Sequence, residues 1–176
     1  ALSNEDFGGG MNAIVFQELR EARGLAYSAS AVYASPYRLG GNESFYTYII
    51  TQNDKMMDCV TEFNKLLNNV PVRQSGFDLA KQSLMKTLAS QRTTKYSILT
   101  SYLAAQRLGI DYSLSEKIYN ALPSLQLQDV INFEKEYIAN KPFKYIILGN
   151  EKELDLKALE KIAPIKRVTT EEIFGY

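Results

Sequence analysis

Apolar residues recur at spacings of three and four up to Leu19 and at spacings of two from Leu25, and the change of period falls at Gly24. Met11, Ile14, Val15 and Leu19 mark one face of a helix. Ala26, Ser28, Ser30 and Val32 then alternate with Tyr27, Ala29, Ala31 and Tyr33, as the two faces of a strand do. A glycine between two such patterns supplies the left-handed residue on which helices end. The chain must therefore end a helix, reverse, and enter a strand within a few residues. A loop through Pro36, Gly40 and Gly41 follows, and residues 45–51 are again rich in aromatic and β-branched side chains. The two strands are expected to pair as antiparallel neighbours, with a crossover left open by the length of the connection.

The middle of the chain reads as helical. Met56, Val60, Phe63 and Leu67 form one stripe, with Asn53 placed to cap it. Ser75-x-x-Asp78 opens a second helix with Phe77, Ala80, Leu84 and Leu88 facing inward, and a third spans residues 95–108 before Gly109. Ser113-x-x-Glu116 has capping-box spacing, and Pro123 closes the short helix it opens. Leu127, Val130, Ile131 and Ile138 give another, interrupted by the charge of Glu134. Residues 145–149 read as a central strand, and residues 156–162 as a final helix. The class is α+β, an antiparallel sheet with the helices segregated on one side. Three strands make a thin sheet for so many helices. The expectation is that preceding residues or another chain complete it, and that an open edge could take an extended peptide.

Charge and composition exclude several functions. The 176 residues carry 20 Lys and Arg against 20 Asp and Glu, which leaves no basic excess for a phosphate backbone, so no nucleic-acid partner is expected. There is no histidine, so no Ser-His-Asp machinery and no imidazole zinc site lies within the chain. One cysteine, Cys59, precludes an internal disulfide, and its apolar setting reads as a buried thiol. The apolar runs are too short to span a bilayer, and the chain opens Ala1-Leu2-Ser3-Asn4-Glu5-Asp6 with its first methionine at Met11. That start reads as a processed or excised, N-terminally truncated piece.

Most candidate motifs have a plain structural explanation. Gly8-Gly9-Gly10 lacks the pattern of a phosphate-binding loop and reads as a tight turn with close backbone packing. Glu18 with Glu21, and Glu171 with Glu172, read as solvated faces. Tyr27, Tyr33, Tyr46 and Tyr48 fall on strand positions, where cross-strand packing is the default.

The order of residues 7–30 is more specific: FGGGMNAIVFQELREARGLAYSAS. It resembles the FGGGM…LFxxLREKxGLAYSVSA segment of the pitrilysin/insulinase family of zinc peptidases. That family includes insulin-degrading enzyme, the mitochondrial processing peptidase and the core subunits of the bc1 complex. The resemblance is motif-level here, and the later order of elements and Gly149-Asn150-Glu151 fit it. It implies an insulinase-like, processing-peptidase-like half, with residues 1–176 as a single C-terminal domain. In the family, homologous units pair around a chamber: one carries His-x-x-Glu-His, its partner an Arg and a Tyr seven positions apart. Arg20 and Tyr27 have that spacing, so the resemblance implies the partner unit, with Arg20 and Tyr27 as substrate-binding residues and no catalytic or metal-binding residue in this chain alone.

Zinc is then expected on the partner domain, in the same polypeptide or another subunit, with a peptide as substrate. No membrane span is expected, self-association is open, and a bacterial periplasm or envelope would suit a member of this family. A guanidinium and a phenol at one rim can donate to the carbonyl oxygen that gains charge during peptide hydrolysis. The alternatives are Arg20 as a helix-terminal cation, Tyr27 as an ordinary strand aromatic, and the whole chain as an inactive scaffold subunit or a peptide-binding module. Arg23 stands only four residues from Tyr27 and reads as a solvated charge.

Overall fold

The computed structural model describes residues 1–9, 13–71 and 73–175. Gly10, Met11 and Asn12, which complete the glycine turn and begin the first apolar stripe, lie outside the described residues. A π-helical segment, Asn4–Gly8, precedes a short helix α1, Ile14–Phe16, which continues as a π turn over Gln17–Glu21. Strands β1, Ser28–Ala34, and β2, Ser44–Ile50, pair antiparallel in the register Ser28↔Ile50 to Ala34↔Ser44. They are direct neighbours, with no crossover. Ala29 and Ala31 turn inward, and Tyr46, Tyr48 and Ile50 turn outward.

Helices α2, Met56–Asn68, α3, Gln74–Ser90, α4, Lys95–Leu108, α5, Leu114–Ala121, and α6, Leu127–Tyr137, follow. Two short helices, α7, Leu156–Glu160, and α8, Thr170–Phe174, close the chain. The fold is α+β. One core joins Phe7, Val15, Leu19 and the β1 alanines to Cys59, Phe63 and Leu67 of α2. A second joins Leu2, Phe77, Ala80, Leu122 and Val130. Each large apolar side chain taken from water contributes roughly 1.5–3 kcal/mol.

Several local readings agree with the structure. Gly109 adopts φ 68° at the end of α4, and the Ser113 hydroxyl accepts from the Glu116 N–H. Others are corrected. The buried stripe of α2 keeps Met56, Phe63 and Leu67 and adds Cys59 and Leu66, with Val60 only half-buried at its margin; a three-residue 3-10 turn, Asn53–Lys55, precedes the helix. Asn53 caps nothing; its amide donates to Glu153. Ser75 lies inside α3, whose first residue Gln74 bonds to Asp78.

The largest correction concerns residues 145–148. Among the described residues the sheet has two strands, and this run is in neither. Ile146 is 90% exposed and Leu148 102% exposed. A β-branched, apolar run expresses a preference for a half-buried pleated surface, and without a neighbour to take its N–H and C=O groups it forms no ladder. Its N-terminal end is nonetheless held: the Phe143 ring lies 6.0 Å from the Phe45 ring, and the Tyr145 hydroxyl donates to Asn64.

Candidate functional site at the helix–strand junction

The backbone between α1 and β1 is closed by one carbonyl. Leu19 C=O accepts from both Leu25 N–H (2.8 Å) and Ala26 N–H (3.3 Å), and Gly24 N–H returns to Arg20 C=O at 3.0 Å. Gly24 has φ 58°, the left-handed conformation that this reversal requires. The Thr51 hydroxyl holds Leu25 C=O at 2.6 Å, and Tyr27 N–H donates to Ile50 C=O at 2.8 Å. Seven residues of sequence are thereby folded back, and Arg20 and Tyr27 come together.

The Arg20 guanidinium carbon lies over the Tyr27 ring at 5.8 Å from its centroid and over the Phe16 ring at 4.7 Å. Both distances fall within reach of a cation–π attraction, worth about 0.5–1 kcal/mol at exposed sites. Its acid neighbour is weakly held: Arg20 Nε stands 3.6 Å from Glu21. Tyr27 is 76% exposed, so the pair occupies an open rim. Phe16 was not singled out by sequence reasoning. Its signal was there, since it precedes Arg20 by four positions, the spacing of neighbours on a helix face.

Arg23 is used differently. It reaches Glu62 of α2 at 3.3 Å and Glu18 at 3.8 Å, and so ties the junction to the helix behind it. The glycine turn also has a structural explanation. A Cβ on Gly8 would stand 1.8 Å from the Ala31 carbonyl oxygen, so the segment lies directly on β1. Among the described residues no group of three or more His, Cys, Asp or Glu could hold a metal ion. No helix of the described residues is long and apolar enough to cross a membrane.

With the junction defined, its sequence can be compared with known families. Residues 2–84 match the family described as the peptidase M16 inactive domain. Over that segment, 83 of the 176 residues, the chain is similar to this family. The M16 inactive domain is the C-terminal unit of pitrilysin/insulinase-type peptidases, and the residues carrying the resemblance, 7–30, fall inside the match.

The fold is shared with solved structures. A peptidase M16 inactive domain from Pseudomonas fluorescens aligns with TM-score 0.62 and 19% identity, over 80% of this chain and 37% of that one. A conserved protein from Enterococcus faecalis V583 aligns with TM-score 0.58 and 15% identity, over 76% and 31%. A protease from Helicobacter pylori aligns with TM-score 0.56 and 16% identity, over 77% and 33%. The chain thus spans about a third of the length of these structures. Among curated proteins, none matches it.

Proposed function

We propose that residues 1–176 are a non-zinc-bearing domain of an insulinase-like zinc metallopeptidase. The domain helps to enclose a peptide and presents Arg20 and Tyr27 to it beside a zinc-bearing partner domain. The observation that carries this reading is the exposed Arg20–Tyr27 pair, with the cation over the ring at 5.8 Å. The M16 inactive-domain match over residues 2–84 supports the assignment to the unit without zinc.

Zinc fits the proposal only on the partner. The chain has no histidine, and its described acids form no ligand group. What this chain's own residues can do is bind and orient. The guanidinium offers a rigid fork of donors and the phenol one more, both suited to a peptide carbonyl oxygen. Donors fixed before substrate arrives favour the state in which that oxygen carries more charge.

The test is peptide hydrolysis by the assembled protein with its zinc-bearing domain. Arg20→Ala and Tyr27→Phe are each expected to lower turnover by about 10²-fold, the loss typical of one such donor, with folding unchanged. Unchanged kinetics in both variants would instead favour a scaffold role. Zinc-dependent hydrolysis by the isolated chain would overturn the reading.

A further inference from the structure

Leu25 lies inside the reversal between Arg20 and Tyr27, and both of its backbone groups are taken. Its N–H donates at 2.8 Å to the carbonyl of Leu19, the residue before Arg20. Its C=O accepts from the Thr51 hydroxyl at 2.6 Å, in a partly buried bond. Thr51 directly follows Ile50, whose C=O accepts from Tyr27 N–H at 2.8 Å. Leu25 is thereby pinned on one side to the turn that carries Arg20 and on the other to the end of β2 that holds Tyr27.

The stretch after β2 is a firm base for this contact. From the end of the 3-10 turn Asn53–Lys55, Lys55 Nζ donates to the adjoining carbonyl, that of Gly24, at 3.3 Å. The turn is fixed from behind, where Asn53 donates to one Glu153 oxygen at 2.6 Å and Asn150 donates to the other at 2.7 Å. Of the two bonds to the reversal, the Thr51 one is the shorter and the better shielded from water.

The Arg20 and Tyr27 side chains are themselves loosely held. Arg20 has ring contacts and a 3.6 Å approach to Glu21, and Tyr27 is 76% exposed. Their relative position therefore depends on the backbone between them. Donors that are fixed in place favour a developing charge, and a displacement of about 1 Å can cost about 10²-fold in rate.

We propose that Thr51 is a positioning residue for the Arg20–Tyr27 pair: by holding Leu25 C=O it sets the guanidinium against the ring before a peptide arrives. The proposal rests on the function proposed above for that pair. Thr51 acts through the backbone of Leu25 and has no direct part in binding the peptide. Valine at position 51 keeps the shape and loses the donor, while serine keeps the donor and loses only a methyl group.

The experiment compares Thr51→Val and Thr51→Ser in the assembled peptidase with its zinc-bearing domain. Thr51→Val is expected to lower kcat about tenfold and leave KM within about twofold, because a displaced donor weakens the transition state more than the bound ground state. Thr51→Ser should stay within about twofold of the wild type, since the bond survives. In an Arg20→Ala background, Thr51→Val should cost no more than about twofold, because the pair it positions is already broken. Where Arg20→Ala lowers turnover, full activity in Thr51→Val, equal losses in the two Thr51 variants, or an undiminished loss in the Arg20→Ala background each overturn the proposal.

A second readout needs no activity. In the full chain the Tyr27 ring displaces the NMR signals of the Arg20 side chain, by an amount that Tyr27→Leu defines. Thr51→Val should lose most of that displacement and Thr51→Ser should keep it. An unchanged displacement in Thr51→Val overturns the proposal. If it collapses while Arg20→Ala and Tyr27→Phe leave turnover unaltered, the positioning stands and the function proposed for the pair fails.

Discussion

Gly8 lies against the carbonyl of Ala31 so closely that any side chain at position 8 would collide with it, the added Cβ falling 1.8 Å from the oxygen. The obstacle is backbone within a paired strand, which cannot rotate aside as a side chain could. Gly8→Ala is therefore expected to cost about 3 kcal/mol, at the upper end of overpacking effects. Chemical denaturation of the two chains measures it, and coincident midpoints would mean that the segment is not seated on β1.

Asn4 bonds to Tyr33 in both directions, its amide donating to the carbonyl (2.9 Å) and its oxygen accepting from the N–H (2.8 Å). Asn4→Ala leaves both backbone groups unpartnered and is expected to cost about 2 kcal/mol. Asn4→Asp keeps the acceptor but loses the donor, and should fall between the two. The order of the three denaturation midpoints decides the matter.

Phe16→Leu removes one of the two rings under the Arg20 guanidinium while keeping an apolar residue on the helix. In the assembled peptidase the expected loss is about fivefold in kcat/KM, the equivalent of about 1 kcal/mol of cation–π attraction. Arg20→Lys, which has no planar fork, should lose more. A Phe16→Leu enzyme with unaltered kcat/KM would show that the second ring has no part in positioning the cation.

Tyr33 donates to Glu43 at 2.6 Å, and this bond, with a smaller contribution from burial, pushes its phenol up to about 12. The fold thus favours the protonated phenol. Its contribution is complete below pH 10 and is lost as pH rises towards 12. In a ring-carbon NMR titration Tyr33 should ionise above the ordinary tyrosine value, and Glu43→Gln should bring it down. A Tyr33 midpoint indifferent to residue 43 would rule out the bond.

Ile146 and Leu148 expose apolar side chains on a run that joins no sheet. Such a run is a ready partner for another strand, including one from a second copy. If copies associate through it, Ile146→Lys with Leu148→Lys should shift sedimentation towards the monomer. Identical profiles would place any association elsewhere.

The sequence was most legible where chemistry and local geometry coincide. Gly24 and Gly109 each end a helical pattern, and each has a positive φ. The alternation from Tyr27 to Tyr33 marked the strand and put Ala29 and Ala31 on one face, and the structure turns that pair inward. The proximity of Arg20 and Tyr27 was legible because a single carbonyl, that of Leu19, closes the reversal between them. What failed depended on partners distant in sequence. The apolar residues at 145–148 carry every local sign of a strand, but pairing belongs to two segments and cannot be read from one. Glu134 reads as a break in an apolar stripe, and the structure buries it all the same, 3% exposed, which its local pattern does not announce. Asn53 has the residue type of a cap, yet Glu153 takes its amide.

The bond pair between Asn4 and Tyr33 gives the sheet a direction of growth. Tyr33 turns its backbone groups away from β2, so its register partner Phe45 turns its own away from β1. A side chain has taken the place that a third strand would need beside Tyr33, and Gly8 sits over the next such carbonyl at Ala31. An incoming strand is thus turned away from one side of the hairpin and must approach along Phe45, Thr47 and Ile49. A two-stranded ribbon that looks symmetric in its hydrogen bonds is, for any third strand, one-sided.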